Sequence, residues 1–264
     1  MRVKLTDNNY VIEAKGLSKY FGTITALENV DFELRKGEVI GLIGDNAAGK
    51  STLIKILSGS ITPNNGSIKV YGKEVKINNP RDAFNLGIET IYQDLALFDN
   101  LNFTRNIFAG REYVTKGIGK IFRFADNRRM RVEAMNKIKN ISINLPKLSQ
   151  KTGTLSGGQR QSVAITRAIF WGRRIIIMDE PTAALGVEES KKVLNMVNEI
   201  RNNLDGMIVI THNIEQIIKI VDRVIVLRNG CRVGSIDFKF YKGKSEELHN
   251  DIVKLITGVE LVAS

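Results

Sequence analysis

Short runs in which nearly every residue is apolar alternate along this chain with stretches whose apolar positions recur every three to four residues. Val39–Ile43, Ile88–Tyr92, Ile175–Asp179 and Met207–Thr211 are the short runs, rich in Ile and Val, and they read as buried strands. Helical periodicity follows in Lys50–Ser58, Val187–Arg201 and Asn213–Val221. Strand, helix, strand in this order predicts an α/β architecture whose parallel strands are joined by right-handed crossovers.

Two regions depart from that alternation. Val11–Lys15, Val30–Leu34 and Ser67–Tyr71 are shorter strand candidates near glycine-containing turns, which predicts an antiparallel sheet beside the main one. Between Asn100 and Gln150 the strand signal disappears, while Asn102–Ala109 and Asp126–Ile141 are helix-patterned, so a separate helical lobe is expected there. Near the end, Ser245–Thr257 places Leu248, Ile252, Leu255 and Ile256 on one helical face. There is no internal repeat and no low-complexity tract.

Composition narrows the class. The chain has 264 residues, 43% hydrophobic and 25% charged, as expected of one soluble core with a smaller lobe set into it. No apolar stretch approaches the roughly 20 residues that span a bilayer. The segment Met1–Tyr10 lacks the basic-then-apolar order of a secretory signal, so a cytoplasmic chain is expected. Cys231 has no second cysteine to pair with. A net charge of +11 suits nucleic acid, anionic lipid or polyphosphate alike. The one dense basic cluster, Arg128, Arg129 and Arg131, has acidic neighbours Asp126 and Glu133 and reads as a solvated helix face.

The sequence Gly44-Asp45-Asn46-Ala47-Ala48-Gly49-Lys50-Ser51 fits G-x-x-x-x-G-K-S, directly after one strand candidate and at the opening of a helix. That context is what a phosphate-binding loop requires. A tight loop turns successive backbone N–H groups toward the anion, and the helix N-terminus adds partial positive charge. Lys50 would reach the β- and γ-phosphates of ATP and Ser51 would ligate Mg²⁺. A second strand, Ile175–Met178, ends in Asp179-Glu180. Two acids at a strand end are common, but beside a phosphate loop they divide into a carboxylate for the Mg²⁺ shell, Asp179, and one facing the attacking water, Glu180.

Upstream of that strand, Leu155-Ser156-Gly157-Gly158-Gln159-Arg160-Gln161 is similar to the signature motif of ABC ATPases. The resemblance spans nearly the whole chain. It implies one ABC ATPase domain over residues 1–264: a P-loop NTPase core with a mainly parallel sheet, an N-terminal antiparallel β subdomain, and a helical subdomain inserted at about 95–170. By position, Phe21, with Tyr20 beside it, resembles the aromatic that stacks on adenine. Gln93 resembles the Q-loop glutamine that contacts Mg²⁺ and relays nucleotide state to membrane subunits, and His212 the switch histidine at the γ-phosphate. Singly, each has a plainer reading: Phe21 as core, Gln93 as a loop residue, His212 as a polar group at a strand end.

The family pattern further implies that two copies sandwich two ATP molecules. Gly44 through Ser51, with Thr52, would hold one nucleotide, while Ser156, Gly157, Gly158 and Gln159 would serve the nucleotide of the partner copy. Asp45-Asn46, Ile91-Tyr-Gln-Asp-Leu95-Ala-Leu97 and Pro181-Thr-Ala-Ala-Leu185-Gly186-Val187 most resemble the ATPases of ribose-, xylose- and fructose-type importers. Many of those carry two fused domains, and this chain is half that length. The expectation is therefore a homodimer on the inner face of the membrane, beneath permease subunits fed by an extracytoplasmic sugar-binding protein, with no nucleic acid partner. The alternative is a non-transport ABC ATPase acting on nucleic acid or the ribosome.

Two residues depart from the commonest family pattern. Gly186 stands where most ABC ATPases have Asp, a change shared by the monosaccharide group. Ala47 stands where most have Gly. Either that Gly serves a positive φ, or it serves close approach of phosphate. With every other expected motif residue in place, Ala47 is expected to have negative φ.

Overall fold

The structure, a computed structural model, describes residues 9–115, 124–138, 146–183, 185–241 and 243–258. The chain opens with β1 (Tyr10–Phe21) and β2 (Ile24–Arg35), an antiparallel hairpin in which Val30, Phe32 and Leu34 alternate inward. Next come β3 (Glu38–Ile43), α1 (Lys50–Leu57), β4 (Asn65–Val70), β5 (Lys73–Val75), α2 (Pro80–Asn85) and β6 (Ile88–Ile91). Helices α3 (Phe103–Phe108), α4 (Asn127–Ile138) and α5 (Gly157–Phe170) lead to β7 (Ile175–Asp179) and α6 (Val187–Ile200). The chain continues with β8 (Gly206–Ile210), α7 (Ile214–Ile217), β9 (Arg223–Arg228), β10 (Cys231–Asp237) and α8 (Ser245–Thr257).

Two sheets form, as expected of an α/β fold of this class. The antiparallel one runs β2-β1-β4-β5, and the larger runs β10-β9-β3-β8-β7-β6. In the larger sheet β3 pairs in parallel with β8 and β9, and β7 with β8; β10 alone is shown antiparallel, to β9. β3 and β8 are buried along their whole length, which is why their sequences carry no polar alternation.

The described chain divides into two compact units. One comprises the chain up to Thr90, Arg174–Pro181 and the part from Arg201 onward; the other comprises Ile91–Arg173 and Thr182–Ile200. The first holds both sheets around a core that includes Phe32, Leu42, Leu53, Ile177 and Ile208. The second is helical. Phe103, Phe108, Met130, Val163 and Phe170 fill its core, and Phe108 meets Phe170 and Trp171 edge to face at 5.1 and 5.4 Å.

Several elements differ from expectation for identifiable reasons. β1 and β2 run well past the segments expected, because register shifts near Leu17 and Lys19 interrupt the period-two pattern. The helix expected over Asn213–Val221 is only Ile214–Ile217, since Asp222 is held to the sheet by Val39: its N–H donates to the Val39 carbonyl and its carboxylate accepts the Val39 N–H. β5, α2, β9 and β10 were not expected. The helix expected over Asp126–Ile141 is seen as α4, and residues 139–141 lie outside the described residues. On α4 Arg128 is exposed and the Arg129 guanidinium lies 4.3 Å from the Tyr113 ring centroid.

A buried ion cluster joins the two sheets of the first unit. Arg223, 3% exposed, donates to Glu38 at 2.8 and 3.1 Å and to Glu33 at 2.7 Å, and Arg232 donates to Glu33 from the other side. Burial alone would raise Glu33, but hydrogen bonds from Arg232 and Arg223 outweigh it and hold the carboxyl below its ordinary value. Removing the shared arginine takes both guanidinium bonds from the buried Glu38 and leaves Glu33 with Arg232 alone. Arg223→Leu is therefore expected to cost about 3–5 kcal/mol, read by urea unfolding, and a loss below about 1 kcal/mol would show that the cluster is dispensable.

Candidate functional site

Parallel pairing brings the carboxyl ends of β3, β8 and β7 side by side. Leu42 faces Ile210, and Ile210 faces Asp179. The loop Gly44–Gly49 leaves β3, Thr211 and His212 leave β8, and Glu180 leaves β7, so strand register alone gathers the expected phosphate loop, acidic pair and histidine on one rim.

The loop is held by its glycines. Gly44 has φ 150°, and a Cβ there would lie 2.1 Å from the Leu227 carbonyl oxygen. Gly49, φ 101°, has the Leu27 side chain at 2.7 Å and the Ala26 carbonyl at 2.8 Å from such a Cβ. Asp45, Asn46 and Ala47 are exposed, while Ala48 and Gly49 are buried against the first unit's core. Ala47 corrects the expectation made from sequence: its φ is +63°, in the left-handed region. The loop needs a left-handed residue between Asn46 and Ala48 to reverse its direction, and the methyl group is carried at roughly 1–2 kcal/mol.

Lys50, the first residue of α1, turns its ammonium back to donate to the Gly44 and Asp45 carbonyls at 2.7 and 2.8 Å. Burial pulls Lys50 below the ordinary lysine value, offset in part by the Glu180, Asp45 and Asp179 carboxylates. Asp179 is pushed up, first by burial and then by the adjacent Glu180, with Lys50 and Lys55 opposing. Glu180 also has positive φ, +49°, while its N–H still donates to Ile210. Its Oε1 accepts the His212 N–H at 3.1 Å and lies 2.8 Å from His212 Nδ1. Ser51 is exposed and Thr52 half-buried on the first turn of α1.

The remaining candidates stand elsewhere. Tyr20 and Phe21 end β1, with Phe21 47% exposed and Lys19 Nζ 5.3 Å from its ring centroid. Gln93 lies in the second unit, after β6. Ser156 caps α5: it accepts the Gln159 N–H, and Gln159 Oε1 accepts the Ser156 N–H at 3.1 Å. Gly157 and Gly158 have packing reasons to lack side chains. A Cβ on the first would lie 2.6 Å from Leu185, and on the second 3.2 Å from Glu189. Ala184 of the Pro181–Val187 motif lies outside the described residues.

Sequence reading missed a wall of the rim. Val253, Ile256 and Thr257 of α8 close a cavity of about 390 Å³ with Ile43, Asp45 and His212. The amphipathic pattern announced the helix but not its neighbour, because the contact joins segments some 200 residues apart.

A strand, phosphate loop and helix beside a strand ending in Asp-Glu define a P-loop nucleotide-binding protein, and residues 27–183 match the ABC transporter family. The chain belongs to that family. It is 41% identical over 252 residues to a fructose import ATP-binding protein of Rhizobium meliloti, covering 95% of each. It is 43% identical over 251 residues to a xylose/arabinose import ATP-binding protein of Sulfolobus acidocaldarius, again covering 95% of each. The crystal structure of a nucleotide-free ATP-binding cassette from an ABC transporter is similar in fold, with TM-score 0.77 and 23% identity over 93% of this chain and 98% of that one.

Two outcomes are expected at this rim. Ala47→Gly removes the left-handed penalty of roughly 1–2 kcal/mol but adds freedom to the unfolded chain worth about 0.4–1 kcal/mol, so a net gain between about 0 and 1.6 kcal/mol is expected in chemical denaturation. Destabilisation would contradict the left-handed geometry. Because the raised Asp179 disfavours its own ionised form, the folded chain loses stability as pH rises through the carboxylate range. Asp179→Asn should thus raise the thermal midpoint at neutral pH, and the difference should shrink as pH falls below about 4. An equal difference at both pH values would exclude the carboxylate charge as the cause.

Proposed function

We propose that this chain is the ATP-binding and ATP-hydrolysing subunit of an ABC importer for a monosaccharide, working as a homodimer at the inner face of the membrane with permease subunits and, through them, a sugar-binding protein. The observation that carries this reading is the Glu180 carboxylate, fixed by His212 at the same rim as the phosphate loop. The likeness to fructose and xylose/arabinose import proteins over 95% of their length supplies the substrate class. Among the described residues no helix is long and apolar enough to cross a membrane, so passage of the sugar belongs to partner chains.

In this reading residues 1–264 form one ABC ATPase domain, with a helical subdomain at about 95–170 inserted in the α/β core. The backbone N–H groups of residues 44–52 bind the phosphates of ATP, with Tyr20 and Phe21 offered to adenine. Lys50 exchanges its two loop carbonyls for phosphate oxygens, and neutralises charge in ground and transition states alike. Both His212 bonds fall on Glu180 Oε1, so Oε2 is the oxygen open to take a proton from the attacking water. His212 then presents Nε2 to the γ-phosphate. Ser156, Gly157, Gly158 and Gln159 serve the nucleotide of the second copy, and Gln93 senses nucleotide state for the membrane subunits.

No group of three or more His, Cys, Asp or Glu among the described residues could enclose a metal ion. One hydroxyl, Ser51, and one carboxylate, Asp179, fit a cation that brings phosphate oxygens and water as its other ligands, which is the habit of Mg²⁺. When bound, it would neutralise phosphate charge and relieve the raised Asp179.

Glu180→Gln keeps the shape of the carboxylate but cannot accept the proton. Hydrolysis should fall at least a hundredfold with ATP affinity within about threefold, and ATP with Mg²⁺ should shift the variant to a dimer on size-exclusion chromatography. Rapid turnover by this variant would remove Glu180 from the role of base. Lys50→Ala should weaken both ATP binding and turnover; unchanged values would refute the phosphate-loop assignment.

A further inference from the structure

The second unit contains a set of buried and charge-assisted hydrogen bonds that the phosphate chemistry does not use. They link the segment just beyond Gln93 to both sides of the Ser156 turn. Arg167, three turns into α5, reaches back across 71 and 72 residues of sequence to donate to the Ala96 carbonyl at 2.8 Å and the Leu95 carbonyl at 2.9 Å. Ala96 has φ +47°, and its N–H donates to the Asp94 carboxylate, so the turn after Gln93 is held in a conformation a free loop would seldom visit.

A second tie lies a few residues further on. Asn106 is fully buried; its Oδ1 accepts the Phe98 N–H at 2.8 Å, and its Nδ2 lies within hydrogen-bond distance of the Phe98, Leu101 and Asn102 carbonyls and of Thr152 Oγ1, the last at 2.7 Å. Thr152 and Gly153 donate their N–H groups to Leu101 and Asp99, immediately before the chain enters Leu155-Ser156. Arg160, one turn past Ser156, pairs with Asp99 at 2.7 Å, but that pair is exposed and adds little.

We propose that Arg167 and Asn106 are positioning residues that join the segment beyond Gln93 to the Ser156–Gly158 turn as one moving part, so that nucleotide contact at either motif moves both. This rests on the reading of Gln93 and Ser156 as nucleotide contacts. The guanidinium is required because a planar fork bonds two consecutive carbonyls at once, whereas an ammonium on a flexible stem holds one firmly. Neither residue touches ATP. Their loss therefore leaves nucleotide binding to the phosphate loop of the first unit intact and impairs the step that needs a correctly placed Ser156.

The test uses the full chain in the Glu180→Gln background, in which ATP is expected to hold a dimer. With Arg167→Ala added, the ATP concentration needed for half-maximal dimerisation should rise at least tenfold while the affinity of the dilute monomer for ATP stays within twofold; Arg167→Lys should fall between. Lys137→Ala serves as the structural control, because Lys137 of α4 contacts Glu133 of its own helix and the Phe170 carbonyl in the last turn of α5 but neither the Leu95–Ala96 segment nor the Ser156 turn, and should leave dimerisation unchanged. Emission of Trp171, the sole tryptophan, reports whether α5 stays packed. Dimerisation by Arg167→Ala at the parent's ATP concentration, or an equal loss in Lys137→Ala, overturns the inference. Should Arg167→Ala unfold, Arg167→Lys decides it by the same criterion. If Glu180→Gln alone forms no ATP-dependent dimer, the site reading fails first and the inference falls with it.

Discussion

Three strands, β3, β8 and β7, lie side by side and stop at the same level, and the loop, the histidine and the carboxylates of the proposed phosphate site all hang from those ends. None of these groups sits on a flexible loop of its own. Each lies at or a few residues beyond the end of a strand buried in the larger sheet, and a register slip of one residue in β8 would move His212 away from Glu180. The wide apolar core under both sheets is thus a condition of the chemistry as well as of stability.

The rim gathers opposed charges at close quarters. A half-buried ammonium borrows carbonyls from its own loop, one carboxyl is pushed up by burial and by its neighbour, and a second carboxylate is turned to a histidine at a left-handed residue. In the proposed function, phosphate and a cation would take over these partners. Strain at Ala47 and Glu180 fits the same pattern, since unusual backbone angles persist where surrounding structure over-determines them.

Much of this was legible in the sequence because it is local. Gly44 through Ser51 is contiguous, Asp179-Glu180 follows an unbroken apolar run, and burial on both faces of β3, β7 and β8 is what an Ile/Val run without alternation means. The sign of φ at Ala47 was not legible, since the residue type argues against the conformation that loop closure imposes. The bulged hairpin hid its own length by breaking period two, and α7 ended early because Asp222 is bound to Val39. Asn106 and Arg167 gave no signal of their long-range ties, for Thr152 lies 46 residues from the first, and Ala96 and Leu95 lie 71 and 72 from the second.

The glycine pair of the signature has a further consequence. A Cβ on Gly157 would meet the end of the Leu185 side chain, and one on Gly158 would crowd Glu189 of α6 at 3.2 Å. Close packing at this turn and the nucleotide contact proposed for it favour the same residue type. A descendant of this chain that lost Glu180 would still find the tighter packing of α6 favouring a glycine at Gly158. An intact Gly-Gly pair of this kind thus speaks to packing as well as to chemistry, and the proposed ATPase is better recognised from the carboxylate and histidine at the ends of β7 and β8.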